Sequence, residues 1–385
     1  MNRPLRISLV TETWPPEVNG VAMTVSRLVE GLRERGHQVQ VVRPRQRSDG
    51  ATQPDTQRPD VLMPGLPLPG YNGLQFGLPA GRSLRRLWES DRPDVVHAVT
   101  EGPLGWSALS QARALRLPIT SSYHTHFDGY SKHYGAGIIG PVIGAVLRRF
   151  HRRTLSTMAP TRVLVDSLSR AKVPGARLLG RGVDVELFQP ARRSQALRER
   201  WGAGDEDLVV LNVGRLAAEK NLKLAARAFE AILAKHPRAK MVWVGDGPSR
   251  ATLAKQFPAH VFTGAKRGEE LATHYASADI FLFPSLTETY GNVVPEAMAS
   301  GLAVVSYHDA AAAELISSGV HGLTVAAGDE QAFVAAAVQM ADDSALRHTA
   351  RIAARARVEP ITWEAVISEF ESVLRAASRG ELKPD

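Results

Sequence analysis

The sequence predicts an α/β protein with two doubly wound domains, each a parallel sheet wrapped by helices. Short apolar runs alternate with amphipathic stretches along the chain, as in parallel strands joined by helices. The alternation falls into two series, which are separated by a stretch suited to a linker at residues 181–190. Two such domains facing each other would leave a ligand cleft between the carboxyl ends of their strands.

The first series occupies the amino-terminal half. Its apolar runs predict strands at residues 6–11, 39–42, 94–98 and 119–122. Helical spacing predicts one helix that contains Val25 and Leu32 and ends at Gly36. Two more helices are expected at residues 103–116 and about 140–157. Residues 44–60 have no apolar periodicity, which predicts a surface loop.

The second series begins near residue 205. Runs rich in β-branched and aromatic residues predict strands at residues 208–213, 241–244, 261–263, 280–283 and 303–306. Helices are expected between them, at residues 222–235, 249–257, 269–277 and 292–300. The order of elements therefore repeats the βαβ unit of a parallel sheet.

Composition excludes several classes of chemistry. The 385 residues include no cysteine, which rules out disulfides, thiolate nucleophiles and cysteine-ligated metals. The longest nearly uncharged apolar stretch, residues 136–147, is too short to cross a bilayer. The amino terminus has no apolar core of signal-peptide length. We therefore expect a soluble, cytoplasmic protein.

The net charge of +8 is unevenly distributed. Residues 1–190 carry +10 and residues 191–385 carry −2. A basic half beside a near-neutral half is typical of a domain that meets a polyanion or an anionic surface. The alternative is a general preference for arginine along the whole chain. A nucleic-acid partner is not expected, because no readout motif or aromatic stacking segment is present.

The sharpest cluster of polar residues follows the strand predicted at residues 280–283. Backbone amides of Gly291, Asn292 and Val293 at a helix start would favour a phosphate. Glu288 precedes that helix, and Glu296, just over one turn inside it, could accept hydrogen bonds from a diol such as ribose. The alternative for each glutamate is simple capping and compensation of the helix dipole.

A second cluster follows the strand predicted at residues 208–213. Arg215 and Lys220 could clamp a diphosphate and stabilise the charge of a leaving group. The alternative is a solvated loop in which Glu219 and Lys220 are neighbours.

In the first half, Gly20 lies where a strand-to-helix loop could approach an anionic ligand. His124 and His126 lie at the end of the strand predicted at residues 119–122. Histidines two apart without a clear third ligand do not favour a metal site. One histidine directed into the cleft is the preferred interpretation, and we expect no metal.

These residues resemble the retaining nucleotide-sugar glycosyltransferases of family 4, which have the GT-B fold of two Rossmann-like domains. The resemblance extends over nearly the whole chain and includes a pair of glutamates, Glu288 and Glu296, with the spacing of that family's E-x7-E motif. The other matching segments are TETWPPEVNG at 11–20, RPDVVH at 92–97, SYHTH at 122–126, RGVD at 181–184, VGRLAAEKN at 213–221 and VGDGP at 244–248.

The resemblance implies a donor site in the second domain. Arg215 and Lys220 would bind the donor pyrophosphate, Glu296 the ribose hydroxyls, and Glu288 the sugar near its reacting carbon. Gly291, Asn292 and Val293 would offer amides to sugar or phosphate. The base would be flanked by Phe262, Thr263 and Gly264. No cofactor is implied, because the nucleotide sugar is a substrate.

The resemblance also implies the domain limits. An acceptor-binding domain would span residues 1–185 and be completed by a carboxyl-terminal helix at about 362–385. The nucleotide-sugar domain would span residues 186–361. His124 would approach the sugar from the first domain, and Gly20 would lie on the acceptor side of the phosphates.

Two arginine clusters in the first half suggest an acceptor at a membrane. Each lies beside apolar residues on a predicted helix, as in amphipathic surfaces that bind anionic lipid. They are Arg82, Arg85 and Arg86, and Arg148 and Arg149. The alternative is two ordinary solvated helix faces.

The combined hypothesis is a peripheral membrane glycosyltransferase on the inner face of the cell membrane. It would transfer a hexose, best matched by mannose from GDP-mannose, to a lipid-linked or glycolipid acceptor. A diacylglycerol glycosyltransferase using UDP-glucose or UDP-glucuronate is one alternative, and a transferase with a soluble or polysaccharide acceptor is another. A nucleotide-sugar epimerase is the alternative from another class of enzyme.

Overall fold

A computed structural model describes residues 3–17, 19–46, 49, 60–67, 75–124 and 139–382. The chain forms two compact units. The first unit takes in Met1–Arg181 and Trp363–Asp385, and the second unit is Gly182–Thr362. The boundary predicted from the sequence follows residue 185, and the predicted return of the chain lies near residue 362.

The first unit contains a seven-stranded parallel sheet with the order β3-β2-β1-β6-β7-β8-β9. Its strands are β1 (Arg6–Val10), β2 (Gln38–Pro44), β3 (Val61–Met63), β6 (Val95–Ala98), β7 (Ile119–Ser122), β8 (Thr157–Ala159) and β9 (Ala176–Leu178). A separate antiparallel pair consists of β4 (Gly65–Pro67) and β5 (Gln75–Gly77). Because β1 pairs with β2 on one side and β6 on the other, the winding reverses between β1 and β6.

Helices cover the sheet of the first unit. They are α1 (Gly20–Glu34), α2 (Gly81–Ser90), α3 (Pro103–Ala114), α4 (Ile139–His151) and α5 (Arg162–Arg170). The side chain of Asn19 caps α1 by accepting a hydrogen bond of 2.8 Å from the amide of Ala22. The continuous apolar strands and the buried helix faces form a core on both sides of the sheet.

The prediction of one long helix at residues 140–157 is wrong at its end. Helix α4 stops at His151, and Thr157 begins strand β8. The hydroxyl of Ser121 in β7 lies 3.0 Å from that of Thr154 and 3.1 Å from that of Thr157. These buried hydroxyl contacts, together with the pairing of β7 and β8, outweigh continued helical propensity.

The last helix of the described chain, α14 (Trp363–Ser378), belongs to the first unit. It packs on α1 so closely that a Cβ on Gly31 would lie 2.3 Å from Cδ1 of Ile367. The ring of Phe370, which is fully buried, makes an edge contact of 4.9 Å between centroids with His97 in β6. Helix α14 therefore completes the core of a unit that begins some 350 residues earlier in the chain.

The second unit contains a six-stranded parallel sheet with the order β12-β11-β10-β13-β14-β15. Its strands are β10 (Val209–Val213), β11 (Lys240–Val244), β12 (Val261–Gly264), β13 (Ile280–Phe283), β14 (Ala303–Tyr307) and β15 (Gly322–Val325). Apolar clusters cover both faces of this sheet. The winding reverses between β10 and β13, so both units are doubly wound, as the sequence predicts.

Helices and two short 3₁₀ turns connect these strands. The helices are α6 (Gln195–Arg200), α7 (Leu222–Leu233), α8 (Arg250–Gln256), α9 (Gly268–Ala276), α10 (Val293–Ala299), α11 (Ala310–Leu315), α12 (Glu330–Asp342) and α13 (Ser344–Val358). The 3₁₀ turns are Pro190–Arg192 and Ala218–Lys220. The loops that leave β10 and β13 are neighbours, because these two strands pair directly.

Candidate active site

The loops after β10 and β13 bring together the charged residues singled out in the second half. In doubly wound sheets, ligands bind outside the carboxyl ends of the strands where the winding reverses. The Nζ atom of Lys220 donates a hydrogen bond to Oε1 of Glu288, and the hydroxyl of Ser285 donates to the same oxygen at 2.7 Å. The amide of Leu286 also donates to the carbonyl of Glu219 at 3.3 Å. The two loops are therefore joined by side-chain and backbone contacts.

The ion-pair partner of Lys220 is Glu288 and not its sequence neighbour Glu219. The sequence left open a solvated loop with Glu219 as the neighbour of Lys220, but Lys220 contacts Glu288 instead. Glu219 lies 3.6 Å from Arg215, whose side chain is 48% exposed. The side chains of Lys220 and Glu288 are only 19% and 16% exposed. One loop thus carries a shielded cation, Lys220, and a more accessible one, Arg215.

Three glycines allow the loops after β10 and β11 to lie against each other. Gly214, Gly245 and Gly247 have φ angles of +147°, +143° and +155°. A Cβ on Gly245 would lie 1.8 Å from the carbonyl oxygen of Gly214, and one on Gly247 would lie 2.5 Å from that of Leu216. The contact is closed by a hydrogen bond of 2.9 Å from the amide of Leu216 to the carbonyl of Asp246. The position of the loop that carries Arg215 depends on this close approach.

The start of α10 carries the three residues expected to offer amides. Gly291 has a φ angle of +86°, and its carbonyl accepts the amide of Val294 at 3.0 Å. The carbonyl of Asn292 accepts the amide of Glu296 at 3.2 Å. Gly291, Asn292 and Val293 are each half-buried. The left-handed conformation of Gly291 turns the chain from the loop of Glu288 into the helix.

Glu296 differs electrostatically from Glu288. The hydroxyl of Tyr275 in α9 donates to Oε2 of Glu296 at 3.0 Å. Desolvation raises the pKa of the Glu296 carboxyl to about 7, although the bond from Tyr275 opposes the rise. Burial, the Glu296 charge and this bond together raise the pKa of Tyr275. Sequence reasoning missed Tyr275, because its place on α9 resembles any apolar position of that helix.

The proposed base-flanking residues lie on β12, which is separated from β13 by β11 and β10. Phe262 stacks on Trp243 in the core with centroids 6.2 Å apart, and the hydroxyl of Thr263 donates to the carbonyl of Trp243 at 3.3 Å. Gly264 has a φ angle of +75°, and its carbonyl accepts the amide of Gly245 at 2.9 Å. Their side chains are thus partly engaged by the unit's own core, while Gly264 adjoins the loop after β11.

In the first unit, Gly20 is the exposed first residue of α1. The loop before it is organised by polar side chains. The hydroxyl of Thr13 donates to Glu17 at 2.6 Å, and the amide group of Asn19 donates to that hydroxyl oxygen at 2.7 Å. Gln46 donates to the carbonyl of Trp14 at 2.8 Å. This network fixes the loop between β1 and α1.

His124 follows β7 and contacts Arg181. One guanidinium nitrogen of Arg181 lies 3.1 Å from Nδ1 of His124, so Nδ1 accepts and the proton of the neutral ring resides on Nε2. Burial, and next the charge of Arg181, hold the pKa of His124 well below its usual range. Arg181 is itself buried and also donates to the carbonyls of Leu179 and Gly180 at 3.2 Å. His126 lies outside the described residues.

Arg181 was missed as a positioning residue, although it opens the RGVD segment that the sequence analysis quoted. That segment was interpreted only as a linker and a family marker. A buried arginine so far from His124 in sequence cannot be paired with it before the fold is known. The contact of Arg181 with Nδ1 of His124 places the proton of the neutral imidazole on Nε2, at the carboxyl end of the first sheet.

Glu12 was also missed, although it lies in the TETW segment. Its Oε1 accepts the amide of Leu104, at the start of α3, at 2.9 Å. A Cβ on Gly102 would lie 2.0 Å from Oε2, so this glycine leaves room for the carboxylate. Burial raises the pKa of Glu12, although backbone amides of Leu104, Gly105 and Gly77 oppose the rise.

The two arginine clusters lie on α2 and α4. Arg82 and Arg86 are exposed, and Arg85 forms an i,i+4 ion pair of 2.9 Å with Glu89, as an ordinary solvated face does. On α4, Arg148 is half-buried and Arg149 is exposed. Three apolar side chains of α4 are exposed as well, namely Val142, Ile143 and Val146. Helix α4 therefore exposes apolar side chains on the same helix as its two arginines.

Two kinds of structural feature are absent from the described residues. No group of three or more His, Asp or Glu side chains there could hold a metal ion. No helix in the described ranges is both long enough and apolar enough to cross a membrane.

Two family models match the chain. One, described as Glycosyltransferase Family 4, covers residues 18–235, and one described as Glycosyl transferases group 1 covers residues 207–343. A GDP-mannose-dependent alpha-mannosyltransferase of Mycobacterium tuberculosis is 34% identical over 96% of this chain and 97% of its own length. The sulfoquinovosyl transferase SQD2 of Arabidopsis thaliana is 32% identical over 97% of this chain and 74% of its own length.

Solved structures support the same fold. The sucrose-phosphate synthase of Thermosynechococcus elongatus has a TM-score of 0.80 at 18% identity, covering 96% of this chain and 98% of its own. HepE of Anabaena, in complex with UDP and glucose, has a TM-score of 0.75 at 17% identity, covering 97% and 100%. The two doubly wound sheets and these structural neighbours show the GT-B fold, and the family models and relatives show a glycosyltransferase. The chain belongs to glycosyltransferase family 4.

Proposed function

We propose that this glycosyltransferase retains anomeric configuration and transfers mannose from GDP-mannose to a lipid-linked or glycolipid acceptor. The observation that carries the donor site is the meeting of Lys220 with Glu288 beside Arg215, where the winding of the second sheet reverses. The choice of mannose is supported by three relatives named GDP-mannose-dependent alpha-mannosyltransferase at 33–34% identity.

The proposed reaction is one group transfer. The bond between the anomeric carbon of the sugar and the terminal phosphate oxygen breaks, and the bonding electrons leave with the nucleoside diphosphate. A hydroxyl oxygen of the acceptor forms the new bond to that carbon, and its proton passes to an oxygen of the departing diphosphate. Arg215 and Lys220 supply positive charge to the departing diphosphate, which lowers the energy of the transition state. These cations make a bound metal unnecessary in this proposal.

The carboxylates have separate roles in this scheme. Glu288, fixed by Lys220 and Ser285, is directed to the donor sugar near the reacting carbon. Glu296, when ionised, accepts hydrogen bonds from the ribose hydroxyls, and Tyr275 orients it. Gly291, Asn292 and Val293 offer amides to sugar or phosphate. Backbone groups of Phe262, Thr263 and Gly264 flank the base.

The first unit is proposed to bind the acceptor. The N–H of neutral His124 donates to a hydroxyl of the transferred sugar, and Gly20 lies on the acceptor side of the phosphates. The exposed apolar residues of α4, with Arg148 and Arg149, are proposed to contact an anionic membrane on its cytoplasmic side. Arg82, Arg85 and Arg86 on α2 contribute charge to the same attraction.

A second candidate differs in donor and acceptor. The alpha-monoglucosyldiacylglycerol synthase of Streptococcus pneumoniae is 28% identical over 83% of this chain. This relative supports glucosyl transfer to diacylglycerol from a UDP-sugar as the alternative activity.

The first experiment supplies purified protein with vesicles that contain diacylglycerol and lipid extract. Radiolabelled GDP-mannose, UDP-glucose and UDP-glucuronate are added in separate reactions, with and without EDTA. We expect label in the organic phase from GDP-mannose alone. EDTA should not reduce the amount of label, and the transferred mannose should have the α configuration. Label from a UDP-sugar alone would favour the second candidate. Interconversion of sugars without lipid would indicate an epimerase and contradict the proposal.

The membrane contact has its own test. Val142→Ser with Ile143→Ser should reduce sedimentation with anionic vesicles. Val163→Ser with Val320→Ser is the matched control, because these valines are similarly exposed elsewhere. Equal sedimentation of both variants would show that α4 is not the membrane contact.

A further inference from the structure

The first unit contains a pocket at the other end of its sheet from His124. It has a volume of about 500 Å³ and lies beside the amino ends of β7 and β8. The end of α3, the turn after α4 and the end of α14 form its walls. Since His124 follows the carboxyl end of β7, this pocket is separate from the site described above.

The walls of the pocket are strongly basic. They include five arginines, all exposed, namely Arg113, Arg116, Arg152, Arg153 and Arg379. Among the described residues that line the pocket, none is Asp or Glu, although Glu381, next to it in sequence, lies 3.6 Å from Arg379. The floor is apolar and includes the buried side chains of Leu117 and Ile119. The pocket thus combines concentrated positive charge with a water-excluding surface.

Backbone contacts orient part of this charge. One guanidinium nitrogen of Arg113 donates to the carbonyl of Arg153 at 3.3 Å, and Arg152 donates to the carbonyl of Ala171 at 2.5 Å. These bonds hold side chains without neutralising them, because a carbonyl carries no net charge. Like charges that line one pocket repel one another, and a bound anion relieves that repulsion. Guanidinium groups match the oxygens of phosphate in geometry as well as in charge.

We propose that this pocket binds a phosphate-bearing anion, whose phosphate contacts the arginines and whose apolar part rests on Leu117 and Ile119. This chemistry is shared by the headgroup of an anionic phospholipid and by a free organic phosphate. The proposal does not depend on the donor or acceptor assigned above, because the pocket shares no residue with the proposed active site.

The test uses the full chain with Arg215→Ala and Lys220→Ala, so that the proposed diphosphate site does not contribute. Inorganic pyrophosphate is titrated into this protein by calorimetry. The pocket variant adds Arg116→Asn and Arg379→Asn, and asparagine suits the φ angle of +53° at Arg116. The control adds Arg170→Asn and Arg177→Asn, two exposed arginines of the same unit outside the pocket. Both variants lose the same charge.

We expect the pocket variant to bind pyrophosphate about tenfold more weakly than the protein with Arg215→Ala and Lys220→Ala alone. The control should bind it less than about twofold more weakly. Sedimentation with phosphatidylcholine vesicles, with and without phosphatidylglycerol, identifies the source of the phosphate. A selective loss of vesicle binding points to a lipid headgroup, and a loss with pyrophosphate alone points to a free phosphate.

Equal effects of the two variants with both probes would overturn the proposal. Thermal melting of each variant checks that it folds. Hydrogen exchange of the unaltered protein adds a measurement without substitutions: pyrophosphate should slow exchange at residues 113–119 and 152–155, and unchanged exchange there would also contradict the proposal.

Discussion

At the carboxyl end of the second sheet, charged side chains meet across neighbouring loops, whereas at the same end of the first sheet burial disfavours the charged forms of His124 and Glu12. Lys220 and Glu288 form an ion pair beside Arg215. In the first unit, burial and the charge of Arg181 lower the pKa of His124, and burial raises that of Glu12. The charged side chains of the second unit suit a diphosphate, which gains negative charge as it leaves. The surroundings of His124 and Glu12 in the first unit suit hydroxyl groups, which do not gain charge.

The largest effect is expected from removing charged side chains of the second unit. Arg215→Ala or Glu288→Ala should lower kcat/KM roughly a hundred- to a thousandfold, because each removes a group directed at the developing charge. Steady-state kinetics with the active donor measures the loss. Arg227→Ala is the matched control, because Arg227 is an exposed arginine of the same unit paired with Glu330. Full activity of both site variants would refute the assignment.

The next largest effect concerns the loop contact that positions Arg215. Gly245→Ala should destabilise the second unit by about 1–3 kcal/mol through backbone strain alone, with the collision against Gly214 added to it. Urea unfolding measures the change. Gly328→Ala has the same kind of strain, with a φ angle of +87°, but no neighbour within 4 Å of the added Cβ. If both variants were equally stable, the close approach would have no energetic importance.

A smaller effect is expected from the neutral imidazole of the first unit. Arg181→Met removes both the charge and the hydrogen bond that favour neutral His124, so the pKa of this histidine should rise, although burial continues to hold it below its usual value. Proton titration by NMR measures the rise, and kcat should fall roughly tenfold. Arg181→Lys keeps the charge and should keep the pKa low. An unchanged pKa in the methionine variant would show that Arg181 does not control His124.

The smallest expected effect concerns the titration of Glu296 in the second unit. In the proposed function the carboxylate form of Glu296 accepts hydrogen bonds from the ribose hydroxyls, so GDP should bind more tightly as pH rises through about 7. Tyr275→Phe removes a bond that lowers the pKa of Glu296, and the midpoint should move to higher pH. Calorimetry at a series of pH values measures this midpoint. Glu296→Gln should abolish the dependence, and its persistence there would assign the titration to another group.

Local patterns in the sequence were sufficient for the fold class and for Arg215, Lys220 and Glu288 as neighbours of strand ends. The end of α4 could not be predicted, because the hydroxyls that end it bond to Ser121 in another strand. Arg181 and Tyr275 were missed for the same physical reason. Each acts through a partner distant in sequence, and only the fold brings them together.

The attachment of α14 to the first unit has a consequence for the order of synthesis. Residues 182–362 form a contiguous unit whose whole core is available before α14 leaves the ribosome. The first unit, although translated earlier, lacks the side chains of Ile367 and Phe370 until α14 has been translated. The second unit can therefore finish folding before the first. Until α14 docks, the apolar side of α1 in the first unit remains uncovered.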